Sequence, residues 1–256
     1  MSERPPAPAG PRLLEVGRIR LVRSDPPVLS AEQRTARDGA WAAAVRANPA
    51  LFDGPVVACS GLAWDGPGAL VLGWVRTTYR YYAMRRVPGA AVLPSLSVGV
   101  VQPTEDGRLV LGRMSASTSA PGRWQPPGGC LEPPDGDRPM DLAEVRRNAA
   151  RELVEETGVD TPPEDLALWR VTVAANGNVG VLFRAAPLPA GRIEERFAAL
   201  VAAERAAGRD PEFQRLALVR SPAELPLLAG PHADYLELLL HAFHTEPATT
   251  APHHGS

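Results

Sequence analysis

Residues 151–159 pack three glutamates, an arginine and a glycine into nine consecutive positions, and that crowding restricts what the surrounding chain can fold into. On a helix, Glu152 and Glu156 stand one turn apart with Glu155 beside them, so the three carboxylates project within roughly a 100° arc. Upstream, Leu142, Val145, Ala149 and Leu153 recur at intervals of three and four. That spacing predicts a helix from Asp141 to Gly158, with an apolar stripe that docks on a sheet and the acids along its edge. Gly158 is suited to the left-handed conformation that ends such a helix. Carboxylates this close repel one another unless a cation sits among them, and an all-oxygen donor set points to a hard divalent ion, Mg²⁺ or alternatively Mn²⁺. An exposed acidic helix face is the competing reading of the same letters.

A second segment lies upstream: Trp124-Gln125-Pro126-Pro127-Gly128-Gly129-Cys130-Leu131-Glu132. Together the two stretches resemble the Nudix box. Residues 151–159 meet its second half, Arg-Glu-aliphatic-any-Glu-Glu-any-Gly-aliphatic, at every specified position. Residues 124–132 are similar to its strand and Gly-Gly turn. The family pattern places a glutamate eight positions before the arginine, where this chain has Ala143, and the spacing from Gly129 to Arg151 is eight residues longer than usual. Residues 133–140 therefore read as an inserted loop, with Asp135 or Glu144 as substitutes for the displaced acid.

The resemblance implies roles. Glu155 and Glu156 would ligate the metal, with Glu152 as a further ligand or as the general base, and the Gly129 carbonyl as an additional ligand. Arg151 would pair with a box carboxylate and hold its rotamer, although an exposed salt bridge accounts for it equally. Arg123 and Trp124 beside the turn are candidates for binding a phosphate and a base; a Trp in a strand also suits a core. Glu212 falls where some family members carry a late catalytic or metal-binding acid. Residues 79–86, which mix tyrosines and arginines, suit an edge strand or a lip over the pocket, and such a mixture can stack a base and grip phosphates.

The strand and helix signals agree with this reading. Residues 14–22 predict a strand, 30–48 a helix capped by Ser30, and 55–64 and 69–79 two strands around an Asp-Gly-Pro-Gly turn. These make residues 11–87 a small α+β N-terminal extension. Residues 88–244 are the expected Nudix domain: strands at 96–101 and 109–114 forming a hairpin, a strand at 124–131, the acidic helix, and a hairpin of 168–174 with 179–184 around Asn176-Gly177. A helix at 192–208, a strand at 213–219 and a terminal helix at 232–243 complete it. The fold class is an α/β/α sandwich with a mixed sheet. Residues 1–10 and 245–256, rich in proline at one end and in Pro, Thr and His at the other, are expected to be disordered; His253 and His254 read as solvated.

The 256 residues, 45% of them hydrophobic, can supply a sizeable core, and a formal charge of −2 lacks the basic excess of a nucleic-acid binder. No run has the length of a membrane span or a signal-peptide core, so cytoplasmic location is expected. Cys59 and Cys130 are too few and too far apart for a disulfide framework or zinc cluster. The function expected is Mg²⁺-dependent hydrolysis of a nucleoside diphosphate linked to another group, such as a UDP-sugar or ADP-ribose. Residues 48–55 add a similarity to Nudix enzymes acting on UDP-glucose and UDP-galactose. A small nucleotide derivative and a second copy of the chain are the partners expected. The alternatives are a nucleotide-sensing module on the same fold and, third, an isomerase.

Overall fold

The computed structural model describes residues 10–136 and 138–246; the proline-rich start, Asp137 and the terminal tail with His253 and His254 lie outside the described residues. The strand expected at residues 14–22 is two strands, β1 (Arg12–Glu15) and β2 (Arg18–Arg23). At the break the N–H groups of Gly17 and Arg18 both donate to the Gly68 carbonyl, and the two halves leave for different sheets. The next helix, α1 (Ala31–Ala47), begins with a capping box in which Ser30 and Gln33 satisfy each other's backbone N–H groups. β3 (Pro55–Trp64) and β4 (Ala69–Thr78) form the antiparallel pair expected, and β2 adds to β4 in parallel.

Residues 79–86 are a 3₁₀ helix and not an edge strand. Tyr81, Tyr82 and Met84 are buried in it, and Tyr82 donates its hydroxyl to the Val57 carbonyl, so burial against β3 and β4 overrides the strand preference of the tyrosines.

β5 (Leu96–Val101) and β6 (Leu109–Met114) flank the expected turn but do not form a ladder with each other. β5 pairs in parallel with β9 (Val179–Arg184), whereas β6 lies between β7 (Trp124–Gln125) and β10 (Phe213–Val219). The strand expected over 124–131 stops after two residues because Pro126 and Pro127 have no N–H to donate. β8 (Ala167–Val173) and β9 form the predicted hairpin. A four-stranded mixed sheet of order β1-β8-β9-β5 and a three-stranded sheet of order β10-β6-β7 result.

Helices cover both faces. α2 (Leu142–Thr157) buries Val145, Ala149 and Leu153 in a core shared with Val98, Val100, Val179, Val181 and Phe183. α3 (Ala190–Ala206) packs beside it through Ile193. On the other side α4 (Leu236–Thr245) starts four residues later than expected and buries Leu236, Leu239, Leu240 and Phe243 against Trp169 and Leu182. Successive residues of β9 thus serve opposite cores, Val181 and Phe183 one and Leu182 the other, which is the strand's period of two. This is an α/β/α sandwich. The N-terminal stretch does not stand apart from it: β1 is a strand of its mixed sheet, and Val57, Leu70, Leu72 and Trp74 share the core of α2.

Candidate active site

α2 carries its acids where the sheet ends. Asp141 caps it by accepting from the Glu144 N–H, and Gly158, at φ 72°, closes it with its N–H on the Val154 carbonyl. The stripe buried on the sheet fixes the roll of the helix, which leaves Glu152 (8% exposed) and Glu156 (1% exposed) facing the loop at residues 126–131 and Glu155 in solvent.

That loop runs antiparallel to β5, held by Val98 N–H to the Gly129 carbonyl and Val100 N–H to the Pro127 carbonyl. Both glycines are required by close approach. A Cβ on Gly128 would stand 2.2 Å from the Val98 oxygen, and one on Gly129 would stand 2.5 Å from the Glu152 carboxylate. The paired glycines therefore let backbone come up against the carboxylates of α2. The Gly128 N–H donates to Glu156 Oε2 at 2.5 Å, and the other oxygen, Glu156 Oε1, is buried without a partner. An orphan acceptor in a buried carboxylate is costly unless it is protonated or finds a cation.

The electrostatics follow from that burial. Loss of water pushes the Glu156 carboxyl well above the usual carboxylate range, with Glu212 and Glu152 adding repulsion that the Gly128 N–H only partly opposes. Burial likewise pushes Glu152 up to about 8, against the pull of Arg151 and with the push of Glu212 and Glu155. Glu212 is raised by partial desolvation and then by Glu155; its side chain still reaches solvent, so water damps the effect. Glu152, Glu156 and Glu212, with Glu155 at the rim, thus share one electrostatic neighbourhood that is short of positive charge.

Arg151 is the one box cation beside them. Its Nη1 donates to Glu132 at 2.8 Å, while Glu152 and Glu155 lie at 3.5 and 3.9 Å. Asn148, 5% exposed, ties this corner together: its Oδ1 accepts from the Glu132 N–H and from Arg151. Sequence reasoning overlooked Glu132 and Asn148. The signal that could have found Asn148 is its position three and four residues before Arg151 and Glu152, on their face of the helix.

The two substitutes for the displaced acid stay outside this neighbourhood. Asp135 is fully exposed and paired with Arg138. Glu144 sits two turns before Glu152, about 12 Å along the axis, with its carboxylate on Arg147. The inserted loop is nonetheless anchored, since Pro134 and Met140 are buried. Arg123 donates to Gln125 Oε1, Gln125 donates to the Gly128 carbonyl, and Gly128 donates to Glu156, so the guanidinium is connected to the acid through three hydrogen bonds. Trp124 is not available to a ligand: it is 0% exposed, its indole N–H donates to the Ala229 carbonyl, and it belongs to the core beneath α4.

Cys130 packs against Tyr79 and Tyr82, and burial pushes its thiol up to about 11, with Glu152 adding repulsion. The 3₁₀ helix of residues 79–86 therefore abuts the Gly-Gly loop, with the Arg85 guanidinium 4.5 Å from the Tyr82 ring centre and hydrogen-bonded to Asn178.

A hard divalent cation fits what is present: the donors are carboxylates and a carbonyl, and a buried acceptor lacks a partner. Among the described residues, no three His, Cys, Asp or Glu side chains are yet gathered closely enough to hold an ion as they stand.

Residues 93–178 match the family model of the NUDIX domain. No curated protein matches the chain. Among solved structures, the MutT protein from Methanosarcina mazei Go1 is similar at 21% identity, over 59% of this chain and 94% of that one, with a TM-score of 0.39. The NUDIX domain of Shewanella oneidensis NrtR complexed with ADP ribose is similar at 17% identity, over 66% and 98%, with a TM-score of 0.38. A NUDIX hydrolase from Nitrosomonas europaea is similar at 20% identity, over 59% and 88%, with a TM-score of 0.36. The matched segment holds both the Gly128-Gly129 loop and the acidic edge of α2.

Proposed function

We propose that the protein is a divalent-metal-dependent hydrolase that splits the diphosphate of a nucleoside diphosphate linked to a second group. One observation carries the reading: Glu156 is buried to 1% exposure with an unpartnered oxygen, beside Glu152 and Glu212. A fold that needed these acids only for stability would have paired them, because an uncompensated buried carboxylate weakens a core.

Glu155, Glu156 and Glu152, with the Gly129 carbonyl, are the groups that would hold Mg²⁺ or Mn²⁺. Bound there, such a cation supplies charge neutralisation for a diphosphate and a water of lowered pKa. The chain's own residues set the rest. The Gly128 N–H holds one oxygen of Glu156 in place and leaves the other buried without a partner. Glu132 and Asn148 fix Arg151, which keeps the guanidinium from collapsing onto Glu152. Glu152 and Glu212 would be the acids that take a proton from an attacking water, and burial raises both carboxyls. Arg123 would meet the departing phosphate, and Tyr79 and Arg85, on the 3₁₀ helix that abuts the Gly-Gly loop, would meet the nucleoside or its partner group.

The test is a substrate panel. Purified protein with Mg²⁺ should release UMP from a UDP-sugar or AMP from ADP-ribose, and Glu155→Gln or Glu156→Gln should remove most of that release. Which of the two is cut identifies the linked group, and Glu152→Gln against Glu212→Gln, compared in kcat, identifies the base. Tight nucleotide binding without turnover under every divalent ion tried would replace this reading with the sensor module.

A further inference from the structure

A cavity of about 340 Å³ opens between the N-terminal half of α1 and the end of β4, away from the carboxylates of α2. Three arginines line it, Arg34, Arg37 and Arg76, and none of the described lining residues is Asp or Glu. Thr77 and Thr78 add hydroxyl-bearing side chains, while Val75 and Tyr81, both nearly fully buried, give it an apolar floor. Three arginines on one concavity, in a chain of net charge −2, make it locally basic.

Two of the three, Arg34 and Arg76, meet backbone carbonyls and no acid among the described residues. Arg34 Nη1 donates to the Leu29 carbonyl at 2.6 Å, and Arg76 Nη1 reaches the carbonyls of Pro134 and Gly136 at 3.5 Å, which orients the forks and leaves their charge intact. Arg37 does meet an acid, Asp38 at 2.8 Å, but Asp38 is shared with Arg80. Arginines held in this way lose little further freedom on meeting an anion, and their planar forks match the oxygens of a phosphate.

We propose that this cavity is a second ligand site, for a small phosphate monoester whose organic body lies on the Val75 and Tyr81 floor. Its volume falls within the range of about 300–1,000 Å³ usual for small-molecule pockets. It differs from the α2 pocket in one respect that makes it separable. The carboxylates there require a cation before any phosphate can approach, whereas the arginines bind phosphate with no metal at all. Arg76 also joins the cavity to the inserted loop that leads from Glu132 to Asp141, so an occupied site would touch the loop through its carbonyl contacts.

The experiment uses the full chain in EDTA, with inorganic phosphate and AMP as probes followed by calorimetry. Both should bind saturably, AMP at least tenfold more tightly, and Arg37→Gln combined with Arg76→Gln should weaken AMP at least tenfold while Glu156→Gln leaves it unchanged. Hydrogen exchange on the unmodified chain gives a readout that does not depend on the variants folding: AMP should slow exchange in residues 29–37 and 75–81. Absence of saturable binding, AMP no tighter than phosphate, binding that survives the double substitution in a folded protein, or protection confined to residues 123–132 would each overturn the assignment.

Discussion

Asp53 and Glu156 are both carboxylates withdrawn from water, and the molecule treats them in opposite ways. Burial alone would raise Asp53, but the Arg80 N–H at 2.7 Å, the Thr78 hydroxyl and the Arg80 guanidinium at 2.8 Å outweigh it and hold its carboxyl below the usual range. Glu156 receives a single N–H and faces Glu152 and Glu212, so its carboxyl is driven up. The first acid ties the 3₁₀ helix of residues 79–86 to the turn before β3, where it stabilises the fold. The second is a liability to the fold, retained at the meeting of a glycine loop and a helix edge, where the proposed function puts the chemistry.

The contrast breaks first at Glu156. Replacing it with Gln should lower kcat about 10²- to 10⁴-fold while leaving the metal-free melting temperature unchanged or higher, since the amide brings no buried charge for Glu152 and Glu212 to repel. Addition of Mg²⁺ should raise the melting temperature of the unmodified protein and fail to raise that of the variant. A variant that loses stability in step with activity would show that Glu156 is a structural acid like Asp53.

Gly129→Ala sharpens the comparison next. The new methyl would stand 2.5 Å from the Glu152 carboxylate and must displace it or the loop. Overpacking of this kind costs about 1–3 kcal/mol, and kcat should fall at least tenfold. Gly61→Ala in β3 is the matched control: nothing lies within 4 Å of its Cβ position, and stability should stay within about 0.5 kcal/mol of the unmodified protein. Equal effects of the two substitutions would sink the idea that the loop glycines serve the site.

How much of the fold and the site is legible in the sequence depends on the range of the forces involved. The helix Leu142–Thr157, its buried stripe and its Gly158 stop follow from periodicity and capping within one segment, and they stand where the spacing puts them. The turn between residues 101 and 109 is legible from its own chemistry, but which strands pair across it is not. β5 and β6 part for different sheets, pairing with β9 and β10, roughly 80 or more residues away in sequence, so the choice of partner is not local. Trp124 misleads because its neighbours are the glycine loop, whereas its burial is decided by α4. Glu132 carries no local mark of its role; the packing of its loop against α2 brings it to Arg151 and Asn148.

The pH dependence of Asp53 comes next in size. Because its folded pKa lies below the unfolded value of about 3.9, its contribution is fully present above that value and is lost as pH falls through the folded pKa. Arg80 is 39% exposed, so solvent screening reduces the pair to about 1 kcal/mol. Asp53→Asn should therefore melt lower than the unmodified protein near neutral pH, and the gap should narrow on acidification below about pH 4. A gap that widened there would reverse the sign and remove Asp53 from the stabilising side of the comparison.

The smallest effect is expected at Asp135. Its side chain is fully exposed and its ion pair with Arg138 is long, at 3.4 Å, so neither burial nor geometry gives the carboxylate work to do. Asp135→Ala should change stability by less than about 0.5 kcal/mol and leave kcat and KM within a factor of two. The point of measuring it lies in the loop. Pro134 and Met140 on either side are buried and Asp135 is not, so the inserted segment is held by its apolar ends while its acid remains in water. A tenfold loss of kcat at unchanged stability would mean that the loop swings Asp135 into the pocket during turnover, and the acid missing at Ala143 would then be supplied from the insert.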